Sequence, residues 1–358
     1  MASGRVEVPL SPPYPVVVDA GLDLARVLSG ALEPTVGAIL TDSNVGPLHA
    51  PSLRRTLEGA GWRVVDVLEI PAGERSKSLT TYAEVAGRLA RSGMTRDGTL
   101  FALGGGVVGD LGGFVAATFM RGINFVVLPT SLLAMVDSSV GGKVGLDLPE
   151  GKNLIGSFFQ PRIVAADLRW LETLPAREIS CGLAEVVKMG LLSGGDYFAH
   201  LGRIVAAREG DPDALQILIL ASVRFKAQIV AEDELEKGRR AILNYGHTIA
   251  HGLEATADYS LPHGEAVSAG MVAAAHLSRE KLRADLVALH EDLIHSAGLP
   301  LKVPDVEVDK VLSAMSHDKK RRAGDEYRFV LLEEVGRPLW GVPVGEDEAR
   351  RAIGAVVD

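Results

Sequence analysis

Short runs of β-branched and apolar residues alternate with helical stretches through the first half of the chain, and this alternation restricts the fold more than any other feature. The predicted strands cover residues 16–18, 37–41, 62–68, 99–103 and 124–128, and predicted helices begin near residues 48 and 79. Repeated strand–helix–strand units build a mostly parallel sheet with helices packed on its faces. The first half is therefore predicted to be an α/β domain.

A glycine-rich sequence, GGGVVGD, directly follows the predicted strand at 99–103 and begins the next helix. Glycines let a backbone approach a pyrophosphate closely, and a helix N-terminus offers free N–H groups to its charge. This order predicts a nucleotide site in a Rossmann-like domain, although the usual G-x-G-x-x-G pattern is absent, and close helix-on-strand packing is the alternative. Asp42 and Asn44 follow an earlier strand. They are interpreted either as ribose or amide contacts or as a turn and a helix cap.

Long amphipathic segments replace this alternation in the second half of the chain. The predicted helices cover residues 176–192, 212–231, 239–256, 265–281 and 286–297, and strands are predicted only at 327–332 and 338–342. We therefore expect two domains, an α/β domain at 1–175 and a mainly α-helical domain at 176–358.

Three histidines fall within residues 241–267 of the helical half. His247 and His251 are four residues apart, so both rings project from one face of the predicted helix. His263 follows Pro262 and lies in the first turn of the next helix. Three imidazoles placed in this way favour a divalent-cation site, and hydrogen-bonded histidines in a helical core are the alternative.

A carboxylate and an ammonium group stand three residues apart in the sequence LAEVVK, as Glu185 and Lys188. Such a pair is often a surface ion pair of small energetic value. The neighbouring residues are apolar or small, however, and a solvated helix face is not expected. Glu185 is therefore a candidate for the carboxylate that completes a Glu-His-His metal site.

Several cations lie near glycines instead of on predicted solvated helix faces. Lys143 follows a Gly-Gly pair, Lys152 and Asn153 follow Gly151, and Arg121 lies upstream. Lysine and arginine side chains on glycine-rich turns favour an anion pocket. Further polar groups in the helical half suit a substrate with a phosphate and a carboxylate. These are Lys226, Arg240, Asn244 and the sequence His317-Asp318-Lys319-Lys320.

The overall charge and the cysteine content limit the function further. A net charge of −9 and a pI near 5.6 argue against nucleic-acid binding, which needs clustered lysine and arginine. A single cysteine excludes an internal disulfide and fits a reducing compartment. Neither a signal peptide nor a membrane span is expected, because the longest apolar run recognised, residues 266–277, is too short. We expect a cytoplasmic protein without nucleic-acid or membrane partners.

A series of motifs runs through nearly the whole chain in one order. It comprises PAGERSKS, GGGVVGD, FMRGI, LPTSLLAMVDSSVGGKVG, GKNLIGSFFQP, GLAEVVKMG, DELEKGRRAILNYGHTIAH, LPHGEAV and DKK. By these motifs the chain resembles the 3-dehydroquinate synthases. The resemblance implies an NAD-binding α/β domain, a helical metal-binding domain and a homodimer in which Arg121 reaches the substrate phosphate of the neighbouring subunit.

The resemblance also implies a role for individual residues. Zinc or cobalt is held by Glu185, His247 and His263, whereas His251 contacts the substrate, which replaces its interpretation from spacing as a ligand. NAD+ is contacted by Asp42, Asn44, Glu74, Lys77, Gly105, Gly106, Val107, Asp110, Thr130, Ser131, Lys143 and Lys152. The substrate is held by Arg121, Asp137, Lys143, Lys152, Asn153, Lys188, Lys226, Arg240, Asn244, His251 and one lysine of Lys319 and Lys320. The catalytic candidates among them are His251, Lys143, Lys188, Asn153 and Arg240.

The implied reaction converts 3-deoxy-D-arabino-heptulosonate 7-phosphate to 3-dehydroquinate and phosphate. Its steps are transient oxidation by NAD+, phosphate elimination, re-reduction and intramolecular aldol closure. The sequence departs from the family pattern at Ser131, Val144 and Asp147, where threonine, threonine and asparagine are usual, and these changes affect fine geometry.

Three other functions remain as alternatives. A related sugar-phosphate cyclase is disfavoured by the carboxylate-binding groups Arg240, Asn244, Lys319 and Lys320. An NAD- and metal-dependent polyol dehydrogenase is disfavoured by the lysines suited to phosphate. An inactive binding protein is disfavoured by the intact metal-ligand set.

Overall fold

The computed structural model describes residues 4–257, 260–317 and 326–358, apart from the side chains of Ser316 and His317. The chain divides into two compact units. The first unit contains residues Met1–Leu174 and Lys226–Ala231, and the second contains Pro175–Phe225 and Glu232–Asp358. The segment Lys226–Ala231 belongs to a long helix that otherwise lies in the second unit. Lys226 Nζ donates to the Asp137 carbonyl oxygen at 2.7 Å within the first unit.

A seven-stranded sheet forms the centre of the first unit. The strands of this unit are β1 Gly4–Val8, β2 Tyr14–Asp19, β3 Val36–Asp42, β4 Arg63–Ile70, β5 Thr99–Gly104, β6 Asn124–Pro129, β7 Lys143–Leu148, β8 Gly151–Phe158 and β9 Ile163–Asp167. The sheet order is β1-β2-β9-β6-β5-β3-β4, and only the pair β1–β2 is antiparallel. The predicted mostly parallel α/β fold is confirmed.

The helices of the first unit connect these strands. They are α1 Leu24–Ser29, α2 Gly46–Gly59, α3 Leu79–Arg91 and α4 Gly106–Thr118. Ser78 caps α3, because its side chain accepts a hydrogen bond from the Thr81 N–H. All residues of β5 are buried, which explains why TLFALG is continuously apolar apart from its first residue and last glycine.

Lysines predicted to lie on glycine-rich turns instead lie on a β-hairpin. Strands β7 and β8 pair antiparallel and carry Lys143 and Lys152, respectively. The glycines here permit close strand contact, since a Cβ on Gly145 would lie 2.6 Å from the Ile155 carbonyl oxygen. The glycines on which the prediction rested, Gly141, Gly142 and Gly151, all have a positive φ, and the lysines lie at the strand starts beside them.

Helices dominate the second unit, as predicted. They are α5 Ala176–Ser193, α6 Gly195–His200, α7 Ile204–Arg208, α8 Pro212–Glu232, α9 His247–Thr256, α10 His263–Leu282, α11 Val287–Ser296, α12 Val308–His317 and α13 Glu346–Gly354. Two antiparallel strands, β10 Tyr327–Glu334 and β11 Arg337–Val344, complete the unit. Helix α8 carries the segment assigned to the first unit.

The predicted continuous helix over 239–256 is wrong. A 3₁₀ helix, Arg239–Asn244, ends at Tyr245, and α9 begins separately at His247. Gly246 between them has a left-handed φ of 77°, and a Cβ there would lie 2.8 Å from Met271 Cγ. The chain therefore turns at a position that accommodates only glycine, and His247 becomes the first residue of a new helix.

Helix α8 is long and apolar enough to cross a membrane, with a mean hydropathy of 1.5, a property not expected from the shorter apolar run at 266–277. Within the structure, 67% of the residues in that apolar stretch are buried. Buried core helices of soluble proteins have the same length and composition, so α8 is weak evidence for a membrane span.

Candidate functional site

Three helices of the second unit bring one acidic and two imidazole side chains together. Glu185 lies on α5, His247 begins α9, and His263 begins α10. One ligand atom from each residue lies within 4.8 Å of the other two. The Nε2 atoms of both histidines are 3.6 Å from Glu185 Oε1. The arrangement is the one expected of a carboxylate and two imidazoles around a single cation.

The environment of Glu185 fits a divalent cation. Its side chain is 0% exposed, and neither carboxylate oxygen has a hydrogen-bond partner among the described residues. Lys188 Nζ forms an ion pair with Oε2. Oε1, which faces both histidines, is therefore the atom that a cation with oxygen and nitrogen ligands would satisfy. Burial alone raises the pKa of Glu185, but Lys188 and His263 lower it to about 2, so the carboxylate is ionised as a ligand must be.

Each histidine of this cluster uses its other ring nitrogen for a contact away from Glu185. His247 Nδ1 lies 3.0 Å from the Tyr245 carbonyl oxygen, and His263 Nδ1 lies 3.4 Å from Glu254 Oε1. A carbonyl oxygen only accepts, so His247 Nδ1 donates and the neutral ring presents a lone pair at Nε2. Burial and the charge of Lys188 lower the pKa of His247, which keeps that ring neutral. Burial alone lowers the pKa of His263, yet Glu185 and Glu254 raise it to about 9, so this ring must release its Nε2 proton before it can bind a cation.

His251 lies beside the cluster without joining the group of ligand atoms. Its ring centroid is 5.5 Å from that of His247, with the ring planes at 86°. The group of possible ligands found among the described residues contains Glu185, His247 and His263. Spacing alone favoured His251 as a ligand, and the structure shows why it misled: neighbouring rings on one helix face need not point at one atom. The substrate role implied for His251 stays a prediction.

Main-chain contact holds the helices that carry the ligands. A Cβ on Gly264 would lie 2.3 Å from Cys181 Cα, so α10 touches the backbone of α5 one residue after His263. A Cβ on Gly270 would lie 2.1 Å from the Gly246 carbonyl oxygen, where the loop before α9 meets α10. The two glycines set the separation of the ligand-bearing elements, because no larger side chain fits between them.

The predicted nucleotide site lies at the carboxyl edge of the sheet in the first unit. Strand β5 lies between β3 and β6, and β3 and β5 flank the point where the strand order reverses. Such switch points are the usual ligand crevices of parallel sheets. A Cβ on Gly105 would lie 3.3 Å from Ser131 Oγ, and one on Gly106 would lie 3.3 Å from Ser138 Oγ. Glycines keep this approach to the N-terminus of α4 open, which fits a dinucleotide phosphate.

A small pocket begins at this helix N-terminus. Its lining includes Gly105, Asp110, Ser138, Ser139 and Lys143. Ser139 Oγ is buried without a hydrogen-bond partner among the described residues. The pocket therefore combines polar groups with the glycine approach that a bound nucleotide needs.

A buried lysine gathers several predicted cofactor and substrate residues. The side chain of Lys77 is 4% exposed, and its Nζ lies 2.9 Å from Asp110 Oδ2 and 2.7 Å from Asn153 Oδ1. Glu74 Oε1 is 3.3 Å away, and Asp147 Oδ1 is 3.8 Å away. Burial alone lowers the pKa of Lys77, but the charges of Asp110, Glu74 and Asp147 outweigh burial and raise it. We call these five residues the Lys77 cluster.

Asp147, where the family resemblance predicts asparagine, has a defined contact in the structure. Its Oδ1 accepts the Asn153 N–H at 2.7 Å. Asn153 has a left-handed φ of 53°, and this hydrogen bond helps to hold that backbone. The neighbouring Lys152 Nζ lies 3.9 Å from Glu74 Oε1.

The remaining predicted site residues have individual surroundings. Lys226 Nζ forms an ion pair with Asp137 Oδ1 at 2.5 Å. Arg240 Nη1 donates to the Glu234 carbonyl oxygen at 2.5 Å, and Asn244 Nδ2 donates to Glu236 Oε1 at 2.9 Å. The other positions are more simply described. Thr130 is buried, Val107 is half-buried, Arg121 is exposed with a left-handed backbone, and Lys319 and Lys320 lie outside the described residues.

Asp42 forms the predicted turn. Its Oδ1 accepts the N–H groups of Asn44 and Val45 at 2.8 and 3.0 Å. Contacts of Asp42 and Asn44 with a cofactor stay a prediction. Sequence reasoning missed Glu254 and Tyr245, although an acidic residue one turn after His251 on the same predicted helix was a usable signal.

Two family matches cover most of the chain. Residues 67–181 match the family described as 3-dehydroquinate synthase N-terminal, and residues 182–321 match 3-dehydroquinate synthase C-terminal. The chain belongs to the 3-dehydroquinate synthase family. A curated 3-dehydroquinate synthase of Acidithiobacillus ferrooxidans is 46% identical over 334 residues, which cover 90% of each chain. Family membership extends over both units.

Solved structures of other cyclases share the fold of this 3-dehydroquinate synthase family member. A 2-deoxy-scyllo-inosose synthase complexed with carbaglucose-6-phosphate, NAD+ and Co²⁺ is 28% identical, with a TM-score of 0.89, covering 98% of this chain and 99% of that chain. A 2-epi-5-epi-valiolone synthase of Streptomyces hygroscopicus subsp. jinggangensis 5008, with NAD+ and Zn²⁺ bound, is 27% identical, with a TM-score of 0.86 and 96% of each chain covered. These structures combine one cofactor with one divalent cation.

Proposed function

We propose that this protein is a 3-dehydroquinate synthase that converts 3-deoxy-D-arabino-heptulosonate 7-phosphate to 3-dehydroquinate and phosphate. The observation that carries the proposal is the Glu185, His247 and His263 group, which lies in a chain of this family. The order of chemistry is oxidation, phosphate elimination, re-reduction and aldol closure. Because the hydride is returned, the net reaction needs no external oxidant.

The proposed cofactors are NAD+ in the first unit and zinc or cobalt in the second. When bound, NAD+ supplies a hydride acceptor and donor, and the cation supplies Lewis acidity toward substrate oxygens. Gly105 and Gly106 give the pyrophosphate access to the N–H groups at the start of α4. Glu74, Lys77 and Asp110 form a fixed charged wall beside this approach.

Residues of each unit are proposed to hold one part of the substrate. In the first unit, Lys152 and Asn153 on β8 offer a cation and an amide to the phosphate. In the second unit, Arg240 and Asn244 lie on one 3₁₀ helix and offer a guanidinium and an amide to the carboxylate. The supporting observation is that Asp233 Oδ2 accepts the Arg240 N–H at 3.0 Å, which fixes the backbone that carries Arg240.

His251 is the proposed proton-handling group at a reacting hydroxyl. An imidazole can donate a proton through one ring nitrogen and accept one through the other, and this ring lies beside the ligand His247. Replacing His251 with alanine is expected to retain the cation and lower turnover about 10²- to 10⁴-fold, the usual contribution of a general acid or base. Replacing His263 with alanine is expected to lose the cation. Turnover near that of the wild type in the His251 variant would defeat this assignment.

A homodimer in which Arg121 reaches the neighbouring active site is part of the proposal, as is a cytoplasmic location. The chain has a single cysteine, the buried Cys181, and therefore no internal disulfide, as is usual for proteins of reducing compartments. Mixing and reassembling inactive Arg121→Ala and His251→Ala subunits tests the dimer. Each heterodimer then has one complete site, so random reassembly should restore about a quarter of wild-type activity. No recovery in verified heterodimers would contradict the role of Arg121 across the interface.

Phosphate release is the experiment that decides the function. Chelator-stripped protein receives zinc or cobalt, NAD+ well below the substrate concentration, and 3-deoxy-D-arabino-heptulosonate 7-phosphate. Many phosphates released per NAD+, only with the cation present, support the proposal. Turnover of sedoheptulose 7-phosphate or glucose 6-phosphate alone would identify a related cyclase instead. NADH accumulating with a polyol would identify a dehydrogenase.

A further inference from the structure

A second buried carboxylate lies on the side of the ligand His263 that points away from Glu185. Glu254 lies on α9 and is 3% exposed. Its Oε1 is 3.4 Å from His263 Nδ1. Burying a carboxylate in a helical core costs several kcal/mol unless its charge is compensated. The position of Glu254 is therefore not explained by packing alone.

The His263 ring lies between two carboxylates. Its Nδ1 faces Glu254, and its Nε2 is 3.6 Å from Glu185 Oε1. An ionised carboxylate only accepts hydrogen bonds, so Glu254 selects the form of the neutral ring that carries its proton on Nδ1. That form leaves the Nε2 lone pair directed toward Glu185 and the cation position.

The second histidine ligand is held differently. His247 Nδ1 donates to the backbone carbonyl oxygen of Tyr245 at 3.0 Å. A backbone carbonyl is neutral and is retained in every side-chain substitution. The contact of His263 is instead with a charged side chain, so a substitution at that position can remove it.

We propose that Glu254 is a positioning residue of the metal centre, which orients His263 and strengthens cation binding. This inference rests on the metal site of the proposed function. A carboxylate behind a ligating imidazole fixes the ring and increases its basicity, and loss of such a partner typically lowers metal affinity about 10- to 100-fold. Glu254 also adds negative charge near the cation, where Lys188 already offsets part of the charge of Glu185.

Cation affinity measured on the full-length, metal-stripped protein tests the inference without relying on turnover. Zinc binding is measured by competition with a chromophoric chelator, and cobalt binding by its visible absorption spectrum. Glu254→Ala is expected to weaken zinc binding about 10- to 100-fold. Glu254→Gln is expected to fall between this variant and the wild type, because its amide oxygen still accepts from Nδ1 but carries no charge.

Glu265→Gln is the matched control. Glu265 lies on α10 two residues after His263 and binds Arg177 through both oxygens, at 2.5 and 3.0 Å. The control carries the same Glu-to-Gln change near the same ligand. Its zinc affinity should stay within about twofold of the wild type, because the partly exposed Glu265–Arg177 pair contributes little energy. The cobalt spectrum should change in the Glu254 variants and not in this control, which separates ligand orientation from a general loss of stability.

Wild-type zinc affinity and an unchanged cobalt spectrum in both Glu254 variants would overturn the inference. If Glu254→Ala does not fold, Glu254→Gln decides alone, since it keeps the size and one acceptor of the side chain. His263→Ala separates this failure from failure of the metal site. Zinc binding lost in His263→Ala but normal in Glu254→Gln overturns the positioning role only, whereas no zinc binding by the wild type overturns both.

Discussion

The Lys77 cluster and the Glu185 group both bury charge, but they satisfy it in different ways. Lys77 is itself the cation of its cluster and lies within 3.3 Å of oxygens from Asp110, Asn153 and Glu74. In the second unit, the histidine nitrogens stand 3.6 Å from Glu185 Oε1, which is too far for hydrogen bonds. The first arrangement is complete within the protein, whereas the second presents donor atoms to a cation supplied from outside.

The two arrangements differ in whether their charged groups hydrogen-bond one another. Buried donors and acceptors that satisfy one another hold the fold together. Buried polar groups that converge without hydrogen-bonding one another are placed to bind a ligand. Lys188 balances the charge of Glu185 in part, yet the three ligand atoms still converge.

Replacing Lys77 with methionine is expected to have the largest effect on stability. It leaves the partly buried carboxylates of Glu74, Asp110 and Asp147 without their cation, so the loss of unfolding free energy should be at most the about 3–5 kcal/mol typical of breaking a fully buried pair. Urea unfolding followed by tryptophan emission reports this change, because the buried Trp62 and Trp170 lie in the first unit. Lys310→Met is the control, since Lys310 forms an exposed pair with Glu307. Equal losses in both variants would contradict a complete internal cluster.

Acid should weaken the second unit through His290. Its Nε2 pairs with the Tyr245 hydroxyl at 2.7 Å, and burial lowers its pKa from 6.5 to about 4. Unfolded chains therefore bind a proton between these values that the native protein excludes. Stability from this group is complete above pH 6.5 and falls by about 3 kcal/mol as the pH drops to 4.

Unfolding free energies measured across this pH range check the His290 prediction. His290→Gln should show a smaller loss of stability between pH 6.5 and 4 than the wild type. His295→Gln on the same helix is the control, because His295 is exposed. A wild-type pH dependence in the His290 variant would exclude this histidine as its source.

Cation binding is expected to change the stability of the second unit slightly less than acidification does through His290. Zinc at about one hundred times its dissociation constant should add about 2.7 kcal/mol to the unfolding free energy of the chelator-stripped protein. Helical circular dichroism during urea unfolding measures the gain. His247→Ala removes a ligand and should abolish it; the same gain in that variant would place the cation elsewhere.

The smallest change is expected for Asp147→Asn. Asp147 Oδ1 is 3.8 Å from Lys77 Nζ, and an asparagine oxygen can still accept the Asn153 N–H. Under about 1 kcal/mol of stability should therefore be lost, as for a weak, partly exposed ion pair. The tryptophan assay used for Lys77 measures this variant too. A loss equal to that of Lys77→Met would show that all three carboxylates are required.

Local patterns predicted the parts of the fold whose periodicity is strong. The buried strand β5 and the glycine-led start of α4 were predicted because apolar continuity and glycine order are local properties. The break at Gly246 was not, because its cause is a contact with Met271, distant in sequence. The β7–β8 hairpin was missed for the same reason, because Gly145 and Gly156 are needed for close contact with the partner strand.

The candidate site shows a similar division. Glu185, His247 and His263 were found as residue types, and the family resemblance selected them over His251. Which nitrogen of each ring faces Glu185 depends on Tyr245 and Glu254, whose contacts exist only in the folded chain. Sequence therefore indicated the ligands, and the structure is needed for their orientation.

The glycine contacts of α10 have a consequence for cation size. Main-chain contact at Gly264 and Gly270 leaves no flexible side chain between the elements that carry the ligands. Helices in such contact separate only by moving as whole bodies, so the opening between Glu185 and the histidines resists expansion. We expect the centre to discriminate among divalent cations by radius, with the limit set by the backbone and not by the ligands themselves.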